Sequence, residues 1–300
     1  MKINLEKTHP DAAFVYFESK NGVLNSYVHR CGPHPTNGAP GRGCCVDFMV
    51  KEAYELSKKP DFEFIVGCSD ETSFNPQIPG VKVFYFYTST ENYDETVPCY
   101  GFHSLSLKGR YGFSGEGSDY HEDFVSAIIE SGNQAPESDK AGFAGTIGNH
   151  VRSYFFGEAK KKPFSDFCEF IEVSWYDPSQ HKQPWPSNFI SIPDQVKRWR
   201  FIIDIQGLTW ADRTKYYFFS NRPIIMVERP YKEFYFQHLK PWVHYVPAVT
   251  SEDVCENLTK LLENPDLERE IANNALEFAK NNMTRNSAIN RYKDVIDSFA

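Results

Sequence analysis

The sequence has no long run of uncharged apolar residues. Nowhere does it offer the stretch of about twenty that a helix needs to span a bilayer. Its start, MKINLEKTHPDAAFVYF, holds no apolar core of signal-peptide length. The expectation is a cytoplasmic chain with no membrane span. There is no C-x-x-C pair either. Cys31, Cys44, Cys45, Cys68, Cys99, Cys168 and Cys255 are odd in number and irregularly spaced. That speaks for reduced thiols, against a disulfide framework and against a structural zinc. Without a secretion signal, the sequons at Asn257 and Asn282 carry little weight. Basic charge is not in excess: 40 acidic residues face 32 basic ones, for a formal net charge of −8. A broad nucleic-acid-binding face is therefore not expected, although a local basic site for a small anion remains open. No G-x-G-x-x-G and no Walker pattern occurs, which disfavours a nicotinamide oxidoreductase. No strict Asp-x-Asp occurs, and the nearest approach, Asp61-Phe-Glu63, sits in a strand pattern. An Mg or Mn diphosphate clamp is thus not evident, and no metal or other cofactor is expected.

What is present is apolar and aromatic. Of the 300 residues, 41% are hydrophobic and 16% are Phe, Trp or Tyr, enough for a sizeable core. That length suits about two domains, or one large one. After the loop from Cys31 to Gly43, helical spacing runs through Val46, Met49, Val50, Ala53 and Leu56, and Pro60 ends it. Phe62–Val66 and Val81–Tyr87 read as strands. A polar segment from Gly132 to Lys140 marks a candidate boundary. Beyond it come an apolar stretch, Ala141–Gly145, and a helix over Asn149–Phe156. Strands are expected over Phe167–Val173, Phe201–Ile205, Ile224–Val227 and Val243–Val246. A proline-rich connection covers Asp177–Pro193, and a helix Asp212–Phe219. From Glu252 to Ala300 the chain reads as helix, broken near Asn264-Pro265 and Met283-Thr284. Helix alternating with strand argues α/β.

Four constellations carry possible chemistry. Gly142-Phe-Ala-Gly145-Thr-Ile-Gly148 lies between a strand and a helix, with Arg152 one turn into that helix. Backbone N–H groups at such a turn can approach a phosphate, and the helix start adds positive potential. The plainer reading is a tight turn. The second, Ile203-Asp-Ile-Gln-Gly207-Leu-Thr-Trp-Ala-Asp-Arg213, repeats the strand–glycine–helix order with its own arginine. Two such units can converge on one diphosphate, and an arginine keeps its charge at any relevant pH. Its plainer reading is a surface arginine paired with Asp212. Third, Asp70 follows a buried strand at the sheet edge where α/β ligands bind, placed for a base or for a loop cap. Fourth is Glu233-Phe-Tyr-Phe-Gln-His-Leu-Lys-Pro-Trp-Val-His-Tyr245, whose His238 and His244 read as structural rather than metal-binding. The carboxylates Asp119, Glu122 and Asp123 around His121 read as a helix start.

That fourth segment, continued through Val246-Pro247, closely resembles the C-terminal signature of glycosyltransferase family 90. The family includes animal protein O-glucosyltransferases acting on EGF repeats, fungal capsule xylosyltransferases and bacterial lipopolysaccharide transferases. The resemblance runs back through Gly207 and Arg213 and forward through Asn273–Met283. It extends to Pro60–Asp70 and to the stretch from Phe86 through Glu91 and Asp94 to Pro98, covering about residues 45 to 285. It implies a GT-B fold of two Rossmann-like domains with a cleft between them. These would be residues 1–135 on the acceptor side and 136–283 on the donor side, with helix 284–300 packing back on the first.

The resemblance further implies inverting, metal-independent transfer from a UDP-sugar to a glycan hydroxyl. The base carboxylate falls on Asp70 and the two diphosphate arginines on Arg152 and Arg213. The phosphate turn opens at Gly145-Thr146. Uracil recognition falls on the backbone of Gly207, Leu208, Thr209 and Trp210, and Glu233 joins the donor site. Asp94 and Phe102 lie on the acceptor side. Departures from the family are Ala144 and Gln206, each where an arginine precedes the glycine, and Ile147, where an arginine is usual. Bulky side chains at Ile147 and Trp210 would favour xylose over glucose. The alternatives are a UDP-glucose or other UDP-hexose transferase of surface polysaccharide synthesis, and a catalytically inactive nucleotide- or glycan-binding protein.

Overall fold

The computed structural model describes residues 12–31, 41–68, 76, 78–90, 92–103, 121–173 and 188–300. Its first elements are a hairpin: β1 (Phe14–Lys20) and β2 (Val23–His29) pair antiparallel across Asn21-Gly22. Both turn residues have positive φ, the geometry that Asn-Gly supplies in a two-residue hairpin. Helix α1 (Arg42–Glu55) follows, then β3 (Phe62–Gly67) and the short β4 (Lys82–Phe84). The sheet order is β2-β1-β3-β4, with β3 antiparallel to β1 and parallel to β4. The strand expected over Val81–Tyr87 is therefore shorter, continued only by an isolated bridge between Tyr85 and Thr96.

A single turn of 3-10 helix (Tyr100–Phe102) and helix α2 (His121–Gly132) lead into the second sheet. There β5 (Ser138–Gly145), β6 (Cys168–Glu172), β7 (Trp199–Asp204), β8 (Ile224–Val227) and β9 (Val246–Ala248) are all parallel, ordered β6-β5-β7-β8-β9. Helix α3 (His150–Glu158) and the short α4 (Phe164–Phe167) connect β5 to β6. Helix α5 (Ile192–Arg198) precedes β7. The strand expected at Val243–Val246 starts at Val246, because Trp242 to Tyr245 form a tight turn. The helix expected over Asp212–Phe219 contracts to one turn, α6 (Thr214–Tyr217). Of the proline-rich connection, residues 174–187 lie outside the described residues, as does Asp119.

Strand alternation divides the second sheet between two cores. Trp199, Ile202, Ile224 and Met226 face a cluster shared with the first sheet, through Phe64, Phe102, Tyr216 and Tyr217. Phe143, Phe201, Ile203, Ile225 and Val227 face the opposite way, onto Phe155 of α3 and Val254 and Leu258 of the next helix. Burial on both faces is what a parallel sheet requires.

The last three helices start at capping side chains. Thr250 and Asp253 form a capping box at α7 (Ser251–Glu263), Asn264 precedes Pro265 at α8 (Pro265–Asn282), and Thr284 caps α9 (Arg285–Asp297). Helix α9 lies against α1: Arg285 pairs with Glu52, and the Tyr292 hydroxyl donates to the Pro98 carbonyl at 2.7 Å. Among the described residues no helix is long and apolar enough to cross a membrane.

Candidate functional site

Counted within the second sheet, the order β6-β5-β7-β8-β9 is 2-1-3-4-5. The chain leaves β5 toward β6 on one side and returns to β7 on the other. The crevice beyond the carboxyl ends of β5 and β7 is thus the topological switch point, where open parallel sheets bind ligands. Gly145 ends β5, and Gly207 lies just past the end of β7. Gly142, grouped in sequence with the turn, lies inside the strand.

Both arginines arrive at this crevice. Arg152 donates to the carbonyls of Thr146 and Ile205, each at 3.1 Å. Arg213 donates to the Ala144 carbonyl at 2.6 Å and the Ile205 carbonyl at 3.4 Å. Both guanidinium groups lie against the Phe143 ring, 4.4 Å from its centroid for Arg213 and 5.4 Å for Arg152. Both Nε atoms are buried without a hydrogen-bond partner. Burial, followed by the charge of Arg213, pushes Arg152 down to about 9. The buried Asp204 carboxylate meets part of this repulsion, and an anion in the crevice would offset more of it.

Asp204, fully buried at the end of β7, anchors the surroundings. Its Oδ2 accepts from the Thr214 hydroxyl at 2.7 Å and pairs with Arg229 at 2.9 Å. Its other oxygen lies 3.7 Å from Arg213 Nε. Asn149 joins the two turns. Its Oδ1 caps α3 by accepting from the Arg152 amide at 2.9 Å, while its Nδ2 donates to the carbonyls of Gln206 and Gly207 at 3.2 and 2.6 Å.

Sequence reading singled out neither Asp204 nor Asn149 for chemistry. The signals were there: a charged residue inside the apolar run Phe201–Ile205, and a good N-cap immediately after a glycine turn. Nor did it single out Phe143 or Arg229.

The remaining candidates scatter. Leu208 and Ile147 are exposed at the two turns, and Thr209 is buried. Trp210 is buried against Phe86, Tyr87 and Tyr100, with centroid separations of 5.9, 6.5 and 6.3 Å. Its indole therefore packs between the two sheets. Glu233 is buried as well. It accepts from the Tyr235 hydroxyl at 2.6 Å, and its second oxygen has no partner. Burial raises its carboxyl to about 7. Phe102 is fully buried between His121 and Phe234, so it offers packing rather than an open surface. Asp94 is exposed at a groove of about 790 Å³ shared with Lys82, Asn92 and Arg291, away from the arginine pair. Asp70 lies outside the described residues. His244 accepts from the Lys240 amide at 3.1 Å, a structural role.

Residues 159–300 match the family model described as Glycosyl transferase family 90. Over that stretch the chain is similar to glycosyltransferase family 90. That region takes in β7, Asp204, Arg213 and the Glu233 segment, while Arg152 lies just before it. Curated relatives match across more of the sequence. The O-glucosyltransferase rumi homolog of Aedes aegypti is 25% identical over 252 residues, covering 79% of this chain and 60% of the relative. Protein O-glucosyltransferase 1 of Homo sapiens is 22% identical over 271 residues, covering 87% and 67%. The chain thus spans about two thirds or less of the length of these relatives. Solved structures match more weakly. A crystal structure of Anabaena HepE in complex with UDP-glucose is 9% identical with a TM-score of 0.38, covering 75% of this chain and 59% of that one. TarM is 12% identical with a TM-score of 0.38, covering 88% and 63%.

Proposed function

We propose that this chain is a UDP-sugar-dependent glycosyltransferase whose donor diphosphate binds at the switch point between β5 and β7. The observation that carries this is the arginine pair. Arg152 and Arg213 come from separate strand–turn–helix units, both lie against the Phe143 ring, and neither Nε atom has a hydrogen-bond partner. The capped start of α3 adds its own positive end. The names of the relatives and the family 90 match support a sugar as the group moved.

The reaction is a single displacement with inversion. A base on the N-terminal half, Asp70, takes the proton of an acceptor hydroxyl. The oxygen attacks the anomeric carbon from the face opposite UDP, and the bond to the diphosphate oxygen breaks. Charge growing on that oxygen is met by the two arginines, with no divalent metal needed. Asp94 belongs to the acceptor side, and the backbone from Gly207 to Trp210 and the carboxylate of Glu233 to the nucleoside side. The acceptor is a glycan hydroxyl. Residues 1–135 and 136–283 form the acceptor and donor halves of a GT-B arrangement, helix 284–300 packing on the first.

For the sugar, the relatives' names favour glucose. The steric argument for xylose keeps Ile147 but loses Trp210, whose ring is committed to the aromatic cluster between the sheets. Calorimetry with UDP, followed by a donor panel of UDP-glucose and UDP-xylose in EDTA, tests the reading. UDP binding with turnover that survives chelation is expected. Absent UDP binding, or activity lost in EDTA and restored by Mn, contradicts it. A higher kcat/KM with UDP-xylose would reverse the choice of sugar.

A further inference from the structure

Between the two sheets lies a group of buried side chains that the reaction above does not use. Lys215, in the single turn of α6, is fully buried. Its ammonium has three protons to place, and the structure supplies three acceptors. These are the Asp212 carboxylate, the Asp212 carbonyl at 2.7 Å and the Cys99 sulfur at 3.3 Å. Cys99 closes the triangle, its thiol donating to Asp212 Oδ1 at 3.2 Å. Two of the acceptors belong to the turn that carries Arg213, and the third to the N-terminal half of the chain.

The space for this triangle comes from Gly101. A Cβ built there would stand 2.7 Å from Asp212 Oδ1 and 2.9 Å from Lys215 Nζ. The Gly101 carbonyl meanwhile accepts from the Tyr216 hydroxyl at 2.7 Å. Lys215 also lies 5.2 Å from the centroid of Phe102 and 5.7 Å from that of Trp210. Burial alone would raise the Asp212 carboxyl and lower the Lys215 ammonium. Their mutual attraction outweighs it in both, so the pair stays ionised.

A buried lysine–aspartate pair is a poor way to gain stability, since well-packed apolar replacements are often as stable. Its geometry does something else. By holding both the side chain and the carbonyl of Asp212, Lys215 fixes the peptide leading into Arg213. Through Cys99, that peptide is referenced to the half of the chain opposite the arginines.

We propose that Lys215 and Cys99 are positioning residues for donor binding: with Asp212, in the space left by Gly101, they fix the Gly207–Arg213 turn against segment 99–102 and so aim Arg213. This rests on the donor reading of the arginine pair. It adds that the aim of a donor arginine is set by residues of the N-terminal half.

The test uses the full chain with Cys99→Val, Cys99→Ser and Gly101→Ala. Each is assayed for UDP affinity by calorimetry well below its Tm, and for hydrogen exchange of the amides in 205–213. Gly101→Ala pushes on the triangle from the N-terminal side and touches no donor contact. Cys99→Val keeps the volume and removes the polar link, and Cys99→Ser retains a donor and an acceptor. Weakened contact between one charged group and phosphate corresponds to about a tenfold rise in Kd, expected for Gly101→Ala and Cys99→Val. Both should also exchange faster across 205–213, with Cys99→Ser within about twofold of wild type. A lowered Tm with UDP affinity unchanged in every variant would reduce the triangle to packing and overturn the proposal. Cys99→Ser as weak as Cys99→Val would overturn it too. Should the wild-type chain fail to bind UDP, the donor reading falls, and the exchange rates alone decide whether the triangle orders the turn.

Discussion

The two sheets of this chain solve different problems. The first, β2-β1-β3-β4, begins as an antiparallel hairpin, and its β3–β4 pair is parallel over three residues. The second is parallel throughout, with both faces buried and its order reversing between β5 and β7. A reversal in a parallel sheet leaves two adjacent strand ends whose connections depart in opposite directions, and so opens a crevice. Here each of those ends runs into a glycine turn and then an arginine. The proposed donor site draws on that difference and puts anion binding in the second half. On the same proposal the first half supplies what acts on the acceptor, while Cys99 and Gly101 meet the turn that carries Arg213.

The comparison breaks most sharply at Asp70. If the halves divide the chemistry this way, Asp70→Asn lowers kcat by about 10²–10⁴-fold, the usual worth of a general base, and leaves UDP affinity unchanged. Glu71→Gln and Asp94→Asn are the controls. Steady-state kinetics with saturating acceptor check it. Near-normal turnover in Asp70→Asn, or a loss of UDP affinity, would undo the division.

A second test concerns Glu233, buried in the C-terminal half, with one oxygen that has no hydrogen-bond partner. Burial raises its carboxyl to about 7, well above the unfolded value. A carboxyl raised on folding contributes stability that is complete below its unfolded pKa and is lost as pH climbs through the folded one. Thermal denaturation should therefore show wild-type Tm falling between about pH 4.5 and 7 relative to Glu233→Gln, by an amount worth a few kcal/mol at most. Parallel pH profiles for the two proteins would show that Glu233 is not the titrating group.

The smallest effect belongs to Asn149. Asn149→Ser and Asn149→Asp both keep the cap on α3, so Tm should move little. Both lose the amide that ties the turn after β5 to the turn after β7, and UDP affinity should fall by about three- to tenfold through the lost hydrogen bonds. Affinity unchanged in Asn149→Ser would mean the turns need no tie.

Much of the second half was legible in sequence because its signals are local. Apolar runs marked β7 and β8, and Asn264-Pro265 and Met283-Thr284 marked the helix breaks at their caps. The α/β class followed from the rhythm of those elements. The opening hairpin went unread although Asn21-Gly22 is a strong turn signal, since β2 lies half open to solvent and lacks a buried stripe. What no local pattern could give is contact across distance. Asn149 bridges 57 and 58 residues of sequence to Gln206 and Gly207, and Cys99 meets Asp212 across 113. The Trp210 ring, read as bulk beside the sugar, packs against Phe86, Tyr87 and Tyr100, contacts that its local sequence does not show.

The central claim is that Arg152 and Arg213 form one diphosphate site at the switch point, and titration calorimetry with UDP tests it most directly. Wild-type chain should bind UDP. Arg152→Ala and Arg213→Ala should each lose about 1.5–3 kcal/mol, the worth of a hydrogen bond to a charged group. Arg213→Lys should recover little, since one ammonium cannot reproduce the planar fork. Both alanine variants binding UDP as tightly as wild type would contradict the account.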